Sequence, residues 1–260
     1  MHLTIKPICV ALAGVVLLLG CQTPQESGPE PTHNVLSVDE AEEGWELLFD
    51  GSSLDSWRGY KWTNVPPNWT VEDGAITCSP CVGGDASLPG DWKSSNDLIT
   101  KEQFQNFDLR LEWRISPAGN SGIFYRVLEA YDFPYTTGPE FQILDNRRHK
   151  DSLNGPKRHA GAAYDVYAPA SDATKPAGQW NTARILVDST HVEHWINGTK
   201  VVEYVLFSDE WEERVASSKW APNPDYGRMK TGHIGLQDHD DAVWYRNIRI
   251  KRLPNTRDLP

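Results

Sequence analysis

Short strand-like segments separated by turn residues occupy most of the chain after residue 44. In Phe107–Ile115, the apolar residues Leu109, Leu111 and Trp113 alternate with charged residues, as in a strand with one buried face. Asn197-Gly198 lies between two such segments and favours a two-residue hairpin turn. Because no long helical pattern separates these segments, we predict an all-β sandwich or jelly roll.

One short helix is predicted at residues 208–216, because Ser208 is a suitable N-cap and acidic residues follow it. Residues 146–181 form the long irregular region, which we expect to border a cleft. The predicted strands are Trp45–Phe49, Trp69–Glu72, Ala75–Thr77, Asp97–Thr100, Phe107–Ile115, Gly122–Arg126, Glu140–Leu144, Thr182–Val187, His191–Ile196, Thr199–Tyr204, Gly232–Gln237 and Val243–Lys251.

Residues 1–20 have the features of an export signal, with Lys6 followed by an apolar run too short to span a bilayer comfortably. Leu18-Leu-Gly-Cys21 resembles the lipobox of bacterial lipoproteins, so we expect cleavage before Cys21 and lipid on that residue. Gln22 in place of Asp favours the outer membrane. An ordinary signal peptide or a short anchor is the alternative.

The rest of the chain divides by composition. Residues 21–43 are rich in Pro, Glu, Ser and Thr and predict a flexible tether. Residues 44–253 are long enough for one all-β domain, and residues 254–260 form a tail. The formal net charge of −11 argues against nucleic acid or anionic lipid as partners, so membrane contact is expected only through the N-terminal lipid.

The four cysteines have different expected fates. Cys9 is expected to be removed with the signal peptide, and Cys21 is expected to be lipidated. Cys78 and Cys81 are then the two cysteines of the folded domain. A disulfide between them suits an exported protein, with free thiols or a redox pair as alternatives. Two thiols do not support a four-thiolate zinc site.

Polar residues occur at positions of the strands where a core would need apolar ones. Glu140 and Gln142 share one face of their segment, and Gln237 and His239 share one face of theirs. Asn120 and Arg126 also fall on a common face, together with Gly122 and Phe124. Such a face is typical of a sheet that binds a polar ligand, for example a sugar.

The order of motifs along the body resembles the 3-keto-disaccharide hydrolase family. The resemblance implies a concanavalin A-like jelly roll of two curved antiparallel sheets, with the site on the concave face. It also implies substrates that are glycosides or disaccharides oxidised to a ketone at C3, supplied by a partner sugar oxidoreductase. The motifs are Leu47–Trp57, Asn120–Arg126, Glu140–Asp145, His159–Asp165, Trp180–Asn181, His194–Gly198, Gly235–His239 and Arg246–Arg249.

A ketone at C3 acidifies the C2 proton, so a base can start elimination of the C1 substituent, and water can then add back. This route needs a base near pH 7, a group that stabilises the enolate oxygen, and an acid for the leaving group. His159 and His239 are the predicted bases. Arg126 is the candidate enolate donor, or else an ion-pair partner of Glu140, which is itself a candidate acid or base.

The predicted substrate-binding residues are Gln142, Gln237, Asn120, Tyr125 and Tyr164. A divalent cation bound by Glu140, His159 and His239 is an alternative to Arg126 as the electrophile. No other cofactor is predicted.

Two other functions suit the same fold. A glycoside hydrolase of the ordinary kind needs paired carboxylates on one face, whereas Glu140 and Asp145 would point to opposite faces of a regular strand. A non-catalytic carbohydrate-binding lipoprotein fits the fold equally well. Substitution of His159 or His239 should separate catalysis from binding.

Overall fold

The computed structural model describes residues 33–79 and 95–254, together with the isolated residue His2. In this part of the chain thirteen strands form two antiparallel sheets. The strands are β1 (Trp45–Leu47), β2 (Trp57–Gly59), β3 (Trp69–Glu72), β4 (Ala75–Cys78), β5 (Leu98–Thr100), β6 (Phe107–Ile115), β7 (Asn120–Val127), β8 (Glu140–Leu144), β9 (Asn181–Asp188), β10 (His191–Ile196), β11 (Thr199–Val205), β12 (His233–Leu236) and β13 (Val243–Arg252). The helices are α1 (Val38–Glu42), α2 (Asp209–Ala216) and the 3₁₀ turns Pro134–Thr136, Lys150–Asn154 and Pro156–Arg158.

The larger sheet has the strand order β11-β10-β9-β6-β13-β4-β3, with β1 added beside β13, and the smaller has the order β2-β5-β12-β7-β8. Inward side chains of both sheets form the main apolar core. β6 shows the expected alternation, because Leu109, Leu111 and Trp113 are buried while the intervening residues are partly exposed. This architecture confirms the predicted concanavalin A-like jelly roll.

The local turn and cap predictions are also confirmed. Asn197 and Gly198 have φ of 48° and 78°, the two positive values that a type I′ turn between β10 and β11 requires. The Ser208 side chain accepts a hydrogen bond from Trp211 N, as expected of the N-cap of α2. β2 is missing from the sequence prediction, because three residues that include Arg and Gly carry no readable alternation.

The prediction of a flexible tether is wrong for residues 33–43. Residues 33–43 pack on the larger sheet: Asn34 is buried and exchanges backbone-to-side-chain hydrogen bonds with Asn247 of β13. Ser37 and Glu40 form a capping box at α1, and Glu40 pairs with Arg249. Composition alone misses the contacts with β13, because each of them joins residues more than 200 positions apart in sequence.

No helix in residues 33–79 or 95–254 has the length and apolar character needed to cross a membrane. The predicted signal segment, the lipidation site Cys21 and the second body cysteine Cys81 lie outside the described residues. Cys78 ends β4, and its Sγ lies 3.5 Å from Asp238 Oδ1.

Candidate active site

The outer face of the smaller sheet carries a row of polar side chains across three neighbouring strands. Gly122 of β7 lies opposite Gln142 of β8, and Gln237, which follows β12, donates its backbone N–H to Gly122 O at 2.9 Å. Phe141 and Ile143 point the other way, into the core. Gly122 therefore forms a gap in the sheet surface between two glutamine side chains.

The carboxyl group of Glu140 lies over Gly122. A Cβ atom at Gly122 would lie 2.4 Å from Glu140 Oε1, so only glycine leaves room for the carboxyl group in this position. Glu140 is 3% exposed, and burial raises its pKa to about 8, while the positive charge of Lys219 opposes that rise. The negative charges of Asp97 and Asp151 add to the increase. A carboxyl group of this kind exchanges a proton near neutral pH.

Lys219 is the positive charge that acts most strongly on the Glu140 carboxyl group. The turn after α2 is held by a 2.6 Å hydrogen bond from Lys219 N to Asp165 Oδ2, and Nζ lies 4.1 Å from the centre of the Tyr164 ring and 4.4 Å from that of Trp220. Burial lowers the pKa of Lys219, which the charge of Glu140 opposes. In the described residues no carboxylate lies within 4 Å of this ammonium group.

Arg158, by contrast, is bound to groups of the protein. Its Nη1 donates to Tyr164 OH at 2.5 Å and its Nε donates to Asp165 Oδ1 at 2.9 Å. Tyr164 OH in turn donates to Asp151 Oδ2 at 2.7 Å. This network fixes the Tyr164 ring beneath the Lys219 ammonium and leaves Lys219, not Arg158, available to a ligand.

Three buried amide groups in this region have an atom without a hydrogen-bond partner. They are Gln142 Nε2, Gln237 Oε1 and Asn120 Oδ1. Leaving a buried polar group unpaired costs about 1–3 kcal/mol, so such a cluster is typical of a site whose ligand supplies the partners. One donor and two acceptors suit the hydroxyl groups of a sugar.

Aromatic side chains form one wall of the site. Tyr135 lies 5.7 Å from Trp220 between ring centres, and the exposed Phe133 stacks on Tyr135 at 5.0 Å with a 6° angle between the planes. Beneath them a small apolar cluster covers the end of the sheet. Its members are Tyr60, Ile99, Phe124 and Val127. Aromatic rings of this kind stack on the apolar faces of pyranose rings.

A second, open basin of about 480 Å³ lies at the other end of the row. His149 and His239 face each other across it, with ring centres 6.2 Å apart. The backbone N–H of Asp151 donates to His149 Nδ1 at 3.1 Å, which connects this basin to the Tyr164 network. The remaining lining residues are Ala118, Arg148, Lys150, Asp240 and Asp241.

Six of the predicted site residues fall in this region of the smaller sheet. They are Glu140, Gln142, Gln237, Asn120, Tyr164 and His239. Three others do not. Tyr125 points into the core, where its hydroxyl group binds His194 and Tyr204. His159 lies in the loop, with its Nε2 3.2 Å from Ser152 O.

Arg126 also has a different role from the predicted one. Its φ of 55° interrupts the alternation of β7, at the point where the pairing with β12 shifts register. The guanidinium group therefore turns away from Glu140 and donates to Gln105 O and Ser189 O. Arg126 therefore binds backbone carbonyls and forms no ion pair with Glu140.

The predicted metal ligands are likewise not assembled. Among the described residues, the trio of metal-type ligands that meets within 4.8 Å is His191, Glu193 and Glu203 on β10 and β11, not Glu140, His159 and His239. Glu193 there already binds Lys200 and Trp195, so this cluster is an ion-pair network.

Sequence reasoning missed Lys219, Trp220, Asp151, His149 and Asp97. Lys219 is 79 positions from Glu140 and stands in no motif, so no local signal could have found it. The loop residues Arg148, His149 and Lys150 form one side of the basin. Asp97 was placed at a strand start without a role, and burial raises its pKa to about 7.

Comparison with known proteins agrees with the motifs. A family model described as a 3-keto-alpha-glucoside-1,2-lyase-like domain matches residues 44–251. The chain is similar to a 3-keto-disaccharide hydrolase of Bacteroides thetaiotaomicron, with 37% identity over 233 residues that cover 81% of this chain and 79% of the relative.

Two solved structures from Parabacteroides distasonis, both described as candidate glycosyl hydrolases, also match. One has 35% identity and a TM-score of 0.78, covering 86% of this chain and 100% of that protein. The other has 23% identity and a TM-score of 0.61, covering 80% and 99%, and supports the fold alone.

Proposed function

The chain belongs to the 3-keto-disaccharide hydrolase family, and from this premise we propose that it cleaves 3-keto glycosides by elimination followed by hydration. A base takes the C2 proton, and the electrons of that bond form an enolate with the C3 oxygen. The enolate collapses, C1 and C2 become doubly bonded, and the C1 substituent departs as an alcohol after it gains a proton. Water then adds to C1 and a proton returns to C2.

Glu140 is the base in this proposal. The supporting observation is its buried carboxyl group, which lies over Gly122 with a pKa of about 8 and faces the charge of Lys219. A base is most effective when its pKa lies near the working pH. Glu140 exchanges the proton taken from C2 with solvent and, after water has added, returns a solvent-derived proton to C2.

Lys219 stabilises the enolate. Its ammonium group has no carboxylate partner within 4 Å among the described residues, and the aromatic rings of Tyr164 and Trp220 border it. The charge of Lys219 acts on the buried Glu140 carboxyl group, and in this proposal it also acts on the enolate oxygen where negative charge develops. Gln142, Gln237 and Asn120 bind the sugar hydroxyl groups.

The basin at the other end of the polar row accepts the leaving group. His239 and His149 line it, so an imidazole can donate the proton that the departing oxygen needs. His239 thus keeps the acid–base function expected from the sequence, but on the leaving-group side.

The decisive experiment compares a 3-keto glucoside carrying a chromogenic aglycone with the same glucoside unoxidised, using protein that lacks residues 1–21. Release from the keto form alone, with deuterium from D₂O incorporated at C2 of the product, is expected. Release from the keto form without C2 deuterium contradicts the elimination route. Release from neither, with sugar binding retained, makes the protein a carbohydrate-binding lipoprotein.

A two-carboxylate glycoside hydrolase is the rival that one observation favours. Asp97 lies near Glu140 with its pKa raised by burial to about 7, so two buried carboxyl groups occur in this region. However, Ser95 and the backbone N–H of Asp238 bind both Asp97 oxygens. Equal turnover of the unoxidised glucoside would support the rival.

For the cellular setting we propose an exported lipoprotein anchored through Cys21 on the periplasmic side of the outer membrane, acting after a sugar 3-oxidoreductase. The supporting feature is the lipobox-like Leu18-Leu-Gly-Cys21. Replacing Cys21 by Ser should move the protein from the membrane fraction to the soluble fraction, and retention in the membrane would contradict the proposal.

A further inference from the structure

A chain of buried hydrogen bonds crosses the sandwich behind the site. Tyr204 of β11 binds the hydroxyl group of Tyr125 of β7, which lies 3.0 Å from His194 Nε2 of β10. His194 Nδ1 lies 3.0 Å from Gly161 O. The two tyrosines and His194 are all buried.

Donor and acceptor chemistry determines the direction of every bond in this chain. The Gly161 carbonyl can only accept, so His194 Nδ1 carries a hydrogen atom. Burial lowers the pKa of His194 to about 4, so the ring is neutral at pH 7 and Nε2 is an acceptor. Tyr125 therefore donates to His194, and Tyr204 donates to Tyr125.

Gly161 begins a short segment that extends the smaller sheet beyond β8. Gly161 N donates to Gln142 O at 2.8 Å, Gln142 N donates to Ala162 O at 3.1 Å, and Tyr164 N donates to Glu140 O at 3.0 Å. The segment, residues 161–164, is thus bonded to the backbone of the two β8 residues that face the ligand.

The same segment is packed closely from the inside. Gly161 has φ of 85°, and a Cβ atom there would lie 2.8 Å from Ile196 and 2.9 Å from Val201. Only His194 gives this backbone a side-chain hydrogen bond from the larger sheet among the contacts of the described residues. His194 is therefore the polar link between the larger sheet and the edge of β8.

We propose that His194 is a positioning residue, whose Nδ1–H holds the 161–164 segment against β8 and so sets the places of Glu140, Gln142 and Tyr164. The proposal rests on the proposed function of those residues. His194 does not touch the ligand, and its effect passes through Gly161.

Two substitutions separate this role from general stabilisation. In His194→Asn, the side-chain N–H₂ occupies the place of Nδ1 and keeps the bond to Gly161, while the acceptor for Tyr125 is lost. In His194→Gln, the side-chain oxygen reaches the place of Nε2 and keeps the bond to Tyr125, while the bond to Gly161 is lost. Each variant thus removes one buried hydrogen bond.

We expect a similar decrease in Tm for both variants of the full chain. The kcat/KM for a 3-keto glucoside should fall about 10- to 100-fold in His194→Gln and stay within about threefold of the native value in His194→Asn. Tyr204→Phe, which removes the far end of the chain, should behave like His194→Asn. Equal losses of activity in His194→Asn and His194→Gln would overturn the proposal.

A measurement that does not depend on turnover completes the test. Amide hydrogen exchange at Gly161, Gln142 and Tyr164 should accelerate in His194→Gln and not in His194→Asn. That result would support the positioning role even if no 3-keto glycoside were cleaved, in which case the proposed function alone would fail. Unchanged protection in His194→Gln would overturn the positioning role.

Discussion

At the scale of one residue, Glu140 shows how burial changes the chemistry of a common side chain. An exposed carboxyl group is ionised at pH 7 and is a weak base. Burial of Glu140 over Gly122 raises the pKa from its ordinary value of 4.5 to about 8. The ionised form is therefore a stronger base, but it costs stability. Activity and stability should then depend on pH in opposite directions.

The stability part of this expectation has a definite sign. Between pH 4.5 and about 8 the folded protein keeps a proton on Glu140 that the unfolded chain releases. The free energy of unfolding therefore decreases as pH rises through this window, by at most about 1.4 kcal/mol per pH unit. Glu140→Gln should flatten this slope in guanidinium unfolding at pH 5, 6.5 and 8. The same slope in both proteins would show that another group causes it.

The activity part concerns the ionised fraction of Glu140. The kcat/KM for a 3-keto glucoside should rise with pH and level off above about 8, the pKa of Glu140. Glu140→Gln should lower kcat by about 10²- to 10⁴-fold. Activity of Glu140→Gln within tenfold of the native enzyme would remove Glu140 from the role of base.

Gly122 tests the position of Glu140 without changing its chemistry. Gly122→Ala puts a methyl group 2.4 Å from Glu140 Oε1, so the carboxyl group must move and kcat/KM should fall about 10- to 100-fold. Gly235→Ala on the neighbouring strand is the control, because its nearest contact is 3.3 Å from Phe124. Steady-state kinetics of both variants measure the effect, and equal activities would contradict the close approach.

At the scale of the element, strand alternation decides how much of the site can be predicted from the sequence. Glu140 and Gln142 lie on a regular strand, so the period of two assigns both to the ligand face. Arg126 follows the same rule in the sequence, but the backbone irregularity at φ of 55° turns it away. A bulge of this kind depends on the pairing between β7 and β12, which no local pattern encodes.

Loops account for the other part of the site that escaped prediction. Lys219 reaches the site because α2 and the bond to Asp165 set the course of the turn that carries it. His159 is a predicted base because an imidazole can take up a proton near pH 7, yet its Nε2 lies 3.2 Å from the carbonyl oxygen of Ser152. The residue types of the site could be predicted from the sequence. Which of the candidate residues reach the site depends on the loop conformation, and tertiary contacts determine that conformation.

Lys219 is the loop residue with the largest expected effect. Lys219→Met should lower kcat by about 10²- to 10³-fold, because it removes the positive charge near the oxygen of the proposed enolate. It should also raise the pKa of Glu140 further, since Lys219 now lowers it, and so move the rising limb of the pH profile upward. Lys200→Met, on the outer face of the larger sheet, is the matched control. An unshifted profile would contradict the coupling of Lys219 to Glu140.

At the scale of the whole molecule, the two sheets contribute differently to the candidate site. The smaller sheet presents the candidate site, and the larger sheet supports it from behind through the core and His194. The larger sheet also receives residues 33–43, which precede the region matched by the family model at residue 44. The folded unit of this chain therefore begins earlier than its family motifs do.

Asn34 connects residues 33–43 to the larger sheet and is expected to stabilise the fold. Its backbone and side chain exchange hydrogen bonds with Asn247, and its Nδ2 donates to Gly74 O at 2.8 Å. Its φ of 61° also suits Asn better than Ala. Asn34→Ala should lower the free energy of unfolding by about 1–3 kcal/mol, whereas the exposed Val38→Ala should change it little.

Activity separates this effect from damage to the site. Asn34 contacts β13 and the turn before β4 in the larger sheet, while Glu140 lies on the smaller one. The kcat/KM of Asn34→Ala should therefore remain within about twofold of the native value below its Tm. A loss of activity without a loss of stability would mean that this segment acts on the site. A loss of neither would mean that the side-chain hydrogen bonds of Asn34 add nothing to the stability of the fold.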